Sequence, residues 1–485
     1  MKIRAVLLGS ALLAAGVAAT ADAHIRVQGA WSGVNAGAVD LLAASDSAGE
    51  AEGLAVVARH NIGGRGFNAD VWTHEGYAYV GTWGFGDWNT GGEQRFCLPD
   101  AQNGVAVIDT RNAATKTPVE VSRLKNPSGT SAEDVVVYTA EYGPQAGRDI
   151  AVAGIQVCGG SSANTSFFRG LQVWDVTNPA SPVELAKLDT GCCTRGLHEL
   201  EVQHRADLGK TFVYASVPTS EYTDSTSPNG RRDRKGRGDF RLIDITNATA
   251  PAEVSSWGVW RDLGAPPEPG LGCDPDPEYG HSVEPSADGK RAFVAYWDSG
   301  FIELDLTDPA RPDYQTNSSY PANADGDGHS SNFDEGRKLL FSADEDFCKT
   351  SGSGTEKGFG YLRVWDWSAT PNPPQQIGSY ETPNASGAKD VNAGDYTIHN
   401  PLLVGDELFI SWYTDGIRVV DVSDPRNPTE TAHFVPPSEN NPVKPSQRGV
   451  LTNAAQVWGV AHDPVTGYIY ASDMNSGLWI LRKTD

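Results

Sequence analysis

The sequence predicts an all-β fold: a seven-bladed β-propeller with four antiparallel strands per blade, closed by an N-terminal outer strand that completes the last blade. Three observations predict it. One phrase recurs along the chain, with its Asp at 109, 175, 244, 305, 366 and 421, giving intervals of 66, 69, 61, 61 and 55 residues. A pair of alternating strands precedes each phrase, which makes four strands per repeat. The last repeat, from Val457, stops after its third strand, and Leu54–Gly63 offers the missing fourth.

Composition agrees with this class. The 485 residues include 13 Trp, 16 Tyr and 15 Phe, ample for a packed core, while 53 Gly and 30 Pro suit a turn-rich β protein. A balance of 38 basic to 62 acidic residues, net −24, argues against nucleic acid as a partner.

In chain order, Lys2 and Arg4 precede an uncharged apolar stretch from Ala5 to Thr20, and Ala21-Asp22-Ala23 ends in a small-x-small pattern. Residues 1–23 therefore read as an export signal cleaved near Ala23. No later segment approaches 18 consecutive apolar residues, so no integral membrane segment is expected. The mature protein is expected to be secreted or periplasmic. Residues 24–53 are small, polar and unpatterned and read as a flexible leader arm, with 54–485 as one propeller domain. Because a closed ring leaves no free sheet edge, the expected state is a monomer.

The repeated phrase reads Gly170-LQVWDVTNPASP-Val183, Asp239-FRLIDITNATAP-Ala252, Gly300-FIELDLTDPARP-Asp313 and Gly416-IRVVDVSDPRNP-Thr429, with looser copies from Gly104 and Gly360. Apolar residues alternate before the Asp, as a strand packed on one face requires. The Asp can accept backbone N–H groups across the turn that follows. The closing Pro fixes φ at the edge of the outer strand, where its missing N–H matters least.

These residues resemble the LVIVD-repeat family of bacterial extracellular β-propellers, over about residues 54–485. The D-[VIL]-[ST]-[DN]-P-x-x-P phrase carries the resemblance, and so does the ending Val457-WGV…YIYASDMNSGLWIL. The resemblance implies a seven-bladed propeller outside the cytoplasm. It implies little about chemistry, since a propeller hosts many functions.

Insertions fall where hairpins between second and third strands, and crossovers between blades, share one face. Long loops fixed on one face of a rigid scaffold are where binding usually resides. All six cysteines lie in or beside these loops: Cys97, Cys158 and Cys348 in hairpins, Cys192, Cys193 and Cys273 in crossovers. In an exported chain they read as disulfides. The favoured pair is Cys97–Cys158, joining the first two blades. Cys192 and Cys193 can pair with Cys273 and Cys348, and a bridge between the two neighbours stays open.

Aligning the blades places His198, His281, His329 and His399 at one position, the start of the strand lining the central channel. The other blades carry Ala69, Glu133 and Trp458 there, and Asp70, Asp134 and Glu199 follow one residue later. Four convergent imidazoles suit one transition metal (Cu, Fe or Zn), with Glu133, Glu199, Asp70 and Asp134 behind them. Alternatively, each ring bonds the backbone of a neighbouring blade and is structural. His204 and His462 read as solvated turn residues on the opposite face.

There is no G-x-S-x-G, H-E-x-x-H, Walker A or Rossmann motif, so nothing nominates a hydrolase or nucleotide enzyme. The first reading of function is therefore a non-enzymatic extracellular binding module, taking a protein or small ligand on its loop face. The second is a metalloprotein with oxidoreductase chemistry.

Overall fold

The computed structural model describes residues 49–84, 96–159, 166–191, 194–218, 238–264, 279–321, 326–347, 359–370, 372–386, 394–439 and 453–484. The expected export signal, most of the expected arm and Cys192, Cys193, Cys273 and Cys348 lie outside them, as do most of the long loops.

Strands dominate the described residues, and they group into four-stranded antiparallel sheets in simple up-and-down order. We number the sheets 1 to 7 by their first strands: Asn68–His74, Thr130–Thr139, Leu200–Arg205, Ser282–Pro285, Gly328–Asp334, Pro401–Val404 and Val457–Asp463. Sheets 1 and 2 are bridged at one point, Thr82 with Ala132. Each first strand touches the first strand of the next sheet, and that of sheet 7 touches that of sheet 1. The result is a β-propeller-like repeat fold, all-β as its sequence predicts.

Sheet 7 takes its fourth strand from the other end of the chain. Leu54–His60 runs antiparallel to Gly477–Lys483, with Leu54 opposite Lys483 and His60 opposite Leu478. Sheet 6 carries a fifth strand, Glu50–Glu52, paired with Thr429–Val435. The arm expected over 24–53 is thus a strand at its end, because the outer edge of sheet 6 offers unpaired backbone groups to the chain passing it.

The repeated Asp has the role its sequence suggests. Asp175 Oδ1 accepts the N–H of Thr177 at 3.0 Å, Asp244 that of Thr246 at 2.9 Å, and Asp305 that of Thr307 at 2.7 Å. Asp109, Asp366 and Asp421 do the same two residues on. In each sheet, the pairing of third and fourth strands slips by one residue, at Val107/Ile108, Glu184/Ala186, Leu242/Ile243, Glu303/Leu304, Val364/Trp365, Val419/Val420 and Val56/Ala58. Such bulges add twist to the outer strand.

The core lies between sheets rather than within them. Phe212, Tyr214 and Trp257 of sheet 3 pack on Val283, Val294 and Leu304 of sheet 4, and sheet 7 meets sheet 1 through Leu478, Ile480, Val71 and Val80. Every such face removes apolar area from water at about 25 cal/mol per Å², so neighbouring sheets are held together by burial. Cys97 and Cys158 form the expected disulfide between the hairpins of sheets 1 and 2, with Cα atoms 5.3 Å apart. No helix among the described residues is long and apolar enough to cross a membrane.

Candidate metal centre

The aligned position at the start of the first strands is a place of irregular backbone. In sheets 1, 2, 5 and 7 the register between first and second strands shifts at Asn68/Val71, Ala132/Val135, Gly328/Ser330 and Val457/Gly459. Ala69, Glu133, His329 and Trp458 fall inside those shifts. In sheets 3, 4 and 6, His198, His281 and His399 sit just before the regular strand. A bulge re-aims a side chain that the regular pleat would direct at a neighbouring sheet. Here it turns these side chains toward one another.

They form an arc in sheet order. Glu133 Oε2 lies 2.8 Å from His198 Nδ1, and His198 Nε2 lies 2.8 Å from His281 Nε2. Ring centroids then step 4.0 Å from His281 to His329, 4.2 Å to His399 and 4.4 Å to Trp458. All four histidines are almost fully buried; His329 and His399 show 0% exposure.

Nδ1 of His281 and both nitrogens of His329 and His399 close no hydrogen bond of good geometry, while the His329 ring lies against the backbone of His399 and the His399 ring against that of Trp458. Leaving a buried polar atom without a good partner costs roughly 1–3 kcal/mol, a cost that a bound ion would relieve.

Carboxylates face the same nitrogens. Glu199 Oε1 is 3.8 Å from His281 Nδ1 and 3.8 Å from His329 Nε2. Glu345 reaches His329 Nε2 at 3.6 Å and His399 Nε2 at 3.9 Å. Tyr413 donates its phenol O–H to Glu345 Oε1, and the Gln156 amide donates to Glu133 Oε2. His198 Nδ1 thus faces both the Glu133 carboxylate and the Gln156 amide, the latter at 2.9 Å, and its Nε2 shares a hydrogen bond with His281.

The electrostatics follow from burial without a cation. Burial pushes His399 down to about 3 and holds His281 and His329 well below the ordinary imidazole value, helped by the other histidines of the arc. All three are neutral and ready to ligate at pH 7. Burial raises Glu199 well above the usual carboxylate range, and Asp134, Asp70, Glu133 and Glu345 push it further up. Asp134 is raised by burial and then by Asp70. Acidic groups crowded this closely are stabilised by a bound dication.

The structure divides the residues singled out from sequence. His198, His281, His329, His399, Glu133 and Glu199 come together. Asp70 and Asp134 do not reach the arc; with Glu199 they line a central cavity of about 330 Å³ that Ser330, Asn332 and Asn400 also face. Asp70 accepts from Asn400 Nδ2 at 3.4 Å, and Asp134 accepts the Leu200 N–H at 2.7 Å. His204 and His462 are half-buried rather than solvated. His204 packs edge-on to Tyr138 and Tyr142, and His462 stacks on Phe409, since their rings complete the gap between sheets.

Glu345 is the ligand candidate that sequence reading misses. It follows the second strand of sheet 5, Leu339–Asp344, at the place Trp297 holds in sheet 4 and Tyr413 in sheet 6. Aligning second strands as well as first strands exposes a carboxylate where the neighbouring repeats carry aromatic rings.

The chain carries LVIVD repeats: that repeat matches residues 65–86, in sheet 1, and 403–434, in sheet 6. No curated protein matches. Among solved structures, Raptor from Chaetomium thermophilum is similar at 11% identity with a TM-score of 0.48, over 87% of this chain and 28% of that one. The computationally designed Ika8 protein is similar at 8% identity with a TM-score of 0.44, over 88% and 98% of the respective chains. This chain thus spans little more than a quarter of the Raptor chain.

Proposed function

We propose that this protein is a secreted or periplasmic metalloprotein built on a seven-bladed β-propeller, with its metal held by the histidine arc at the mouth of the central channel. The supporting observation is the arc itself: buried imidazole nitrogens without hydrogen bonds of good geometry, facing the carboxylates of Glu199 and Glu345. His198 Nε2 and His281 Nε2 share a hydrogen bond at 2.8 Å, closer than the roughly 3.3 Å between two ligands of a tetrahedral ion, so a metal would displace that bond. Imidazole with carboxylate suits iron, zinc or copper.

The seven-bladed ring is supported by the cyclic contact of the first strands, and its closure by the pairing of Leu54–His60 with Gly477–Lys483. Location outside the cytoplasm is supported by the Cys97–Cys158 disulfide, which persists in oxidising compartments.

The test is metal content by mass spectrometry on natively exported protein, beside a His281→Ala/His329→Ala double variant. Bound Fe, Cu or Zn in the parent and its loss in the folded variant is the expected result. A parent that holds no metal after reconstitution with each of the three ions overturns the reading and returns attention to the loop face as a protein- or ligand-binding surface.

A further inference from the structure

The four histidines do not form one ligand set. Among the described residues of the arc, the ligand atoms that lie within 4.8 Å of one another form three overlapping groups: His198 with Glu199 and His281, Glu199 with His329 and His399, and His281 with His329 and Glu345; a fourth group, His74 with Glu75 and Asp149, lies apart from the arc. His198 and His399, at the two ends of the imidazole arc, share no group. Ligands bound to a single ion at about 2.0–2.2 Å stand no more than about 4.4 Å apart even when opposite each other. One ion therefore cannot take all four rings as they stand.

Two ions can. We propose that the arc holds a pair of transition-metal ions, one between His198 and His281 and one between His329 and His399, with the Glu199 carboxylate bridging them. This rests on the metal-centre reading above and sharpens it. Glu199 belongs to both of the first two groups, its Oε1 standing 3.8 Å from His281 Nδ1 and 3.8 Å from His329 Nε2, so the first ion would take His281 through Nδ1.

Each half also has its own supporting carboxylate. Glu133 backs His198 through Nδ1 at 2.8 Å. Glu345 spans the other pair, at 3.6 Å from His329 and 3.9 Å from His399, and is held in turn by Tyr413. The mixed nitrogen and oxygen donors suit zinc, iron or manganese, and paired ions of this kind are set to clamp an oxygen-bearing substrate from the central cavity.

The experiment is a titration of the metal-free full chain with Zn(II), read by calorimetry and by equilibrium dialysis, on the parent and on His198→Gln and His399→Gln. The expected result is two equivalents in the parent and one in each variant. A copper-loaded parent should also show an electron paramagnetic resonance signal broadened by spin–spin coupling, which Glu199→Gln abolishes. One equivalent in the parent overturns the pair but leaves the metal centre intact. No bound ion overturns both readings. Two equivalents without coupling in the copper-loaded parent overturn the Glu199 bridge. If the His variants fail to fold, the parent's stoichiometry decides alone.

Discussion

Ser330 donates its hydroxyl to the carbonyl of His399 at 2.7 Å, tying the start of the first strand of sheet 6 to the bulge in sheet 5. Ser282 makes the same contact to the carbonyl of His329, and Ser411 to that of Trp458. The irregular backbone that points the imidazoles inward is thereby fixed from the neighbouring sheet, one hydroxyl per step. Replacing Ser330 by Ala leaves the buried His399 carbonyl short of a partner. A loss of about 1–3 kcal/mol in urea unfolding is expected, together with weaker metal binding.

Tyr413 orients Glu345 without reaching the histidine nitrogens that Glu345 faces. Tyr413→Phe removes only the phenol hydroxyl from a buried side chain. Metal affinity should fall about 10-fold or more, as loss of an outer-shell partner does, and the metal-free protein should lose about 1–3 kcal/mol of stability as buried Glu345 loses its donor. Competition against a chelator of known affinity measures the first, and calorimetry the second.

The Cys97–Cys158 bridge closes a loop of 61 residues. On the chain-entropy account, a loop of that length is worth about 4 kcal/mol, and measured values are commonly 2–4. Cys97→Ser with Cys158→Ser should lower stability by about that amount in denaturant melts under oxidising conditions. With reductant present, the parent should converge on the variant if this bridge is the one that matters.

Arg205, buried in sheet 3, donates to Asp207 at 2.9 Å and to the carbonyls of Gly289 and Leu306 in sheet 4. Its hydrogen bond, with help from Lys290, holds Asp207 down to about 2. A carboxylate depressed in the folded state contributes stability that is full above its unfolded value of about 3.9 and is lost as pH falls through 2. Asp207→Asn should therefore cost something at pH 7 and much less at pH 2. Because Asp207 is 41% exposed, screening keeps the cost below about 1 kcal/mol. Urea curves at the two pH values check the sign.

The repeat was legible because it is written in local chemistry. Asp175, Asp244 and Asp305 mark their turns by a contact only two residues away, and alternating residues mark the strands between them. The histidine positions were legible for the same reason, since a repeat aligns its own equivalent sites. Two things were not. Backbone register shifts at Glu133 and His329 arise in the pairing with the next strand, and alternation along either strand alone does not announce them. Glu345 was hidden by its setting in Asp344-Glu345-Asp346, an acidic run that reads as a turn. Its burial comes from Tyr413 and the rings of His329 and His399, all supplied by other parts of the chain.

The pairing of Leu54–His60 with Gly477–Lys483 also has a consequence in time. Leu54–His60 is synthesised long before its partner Gly477–Lys483, so their pairing carries a large loop-closure cost. A chain interrupted anywhere before Gly477 keeps Leu54–His60 unpartnered and its apolar side exposed. The edge of Gly477–Lys483 is thus covered only by a strand made more than 400 residues earlier.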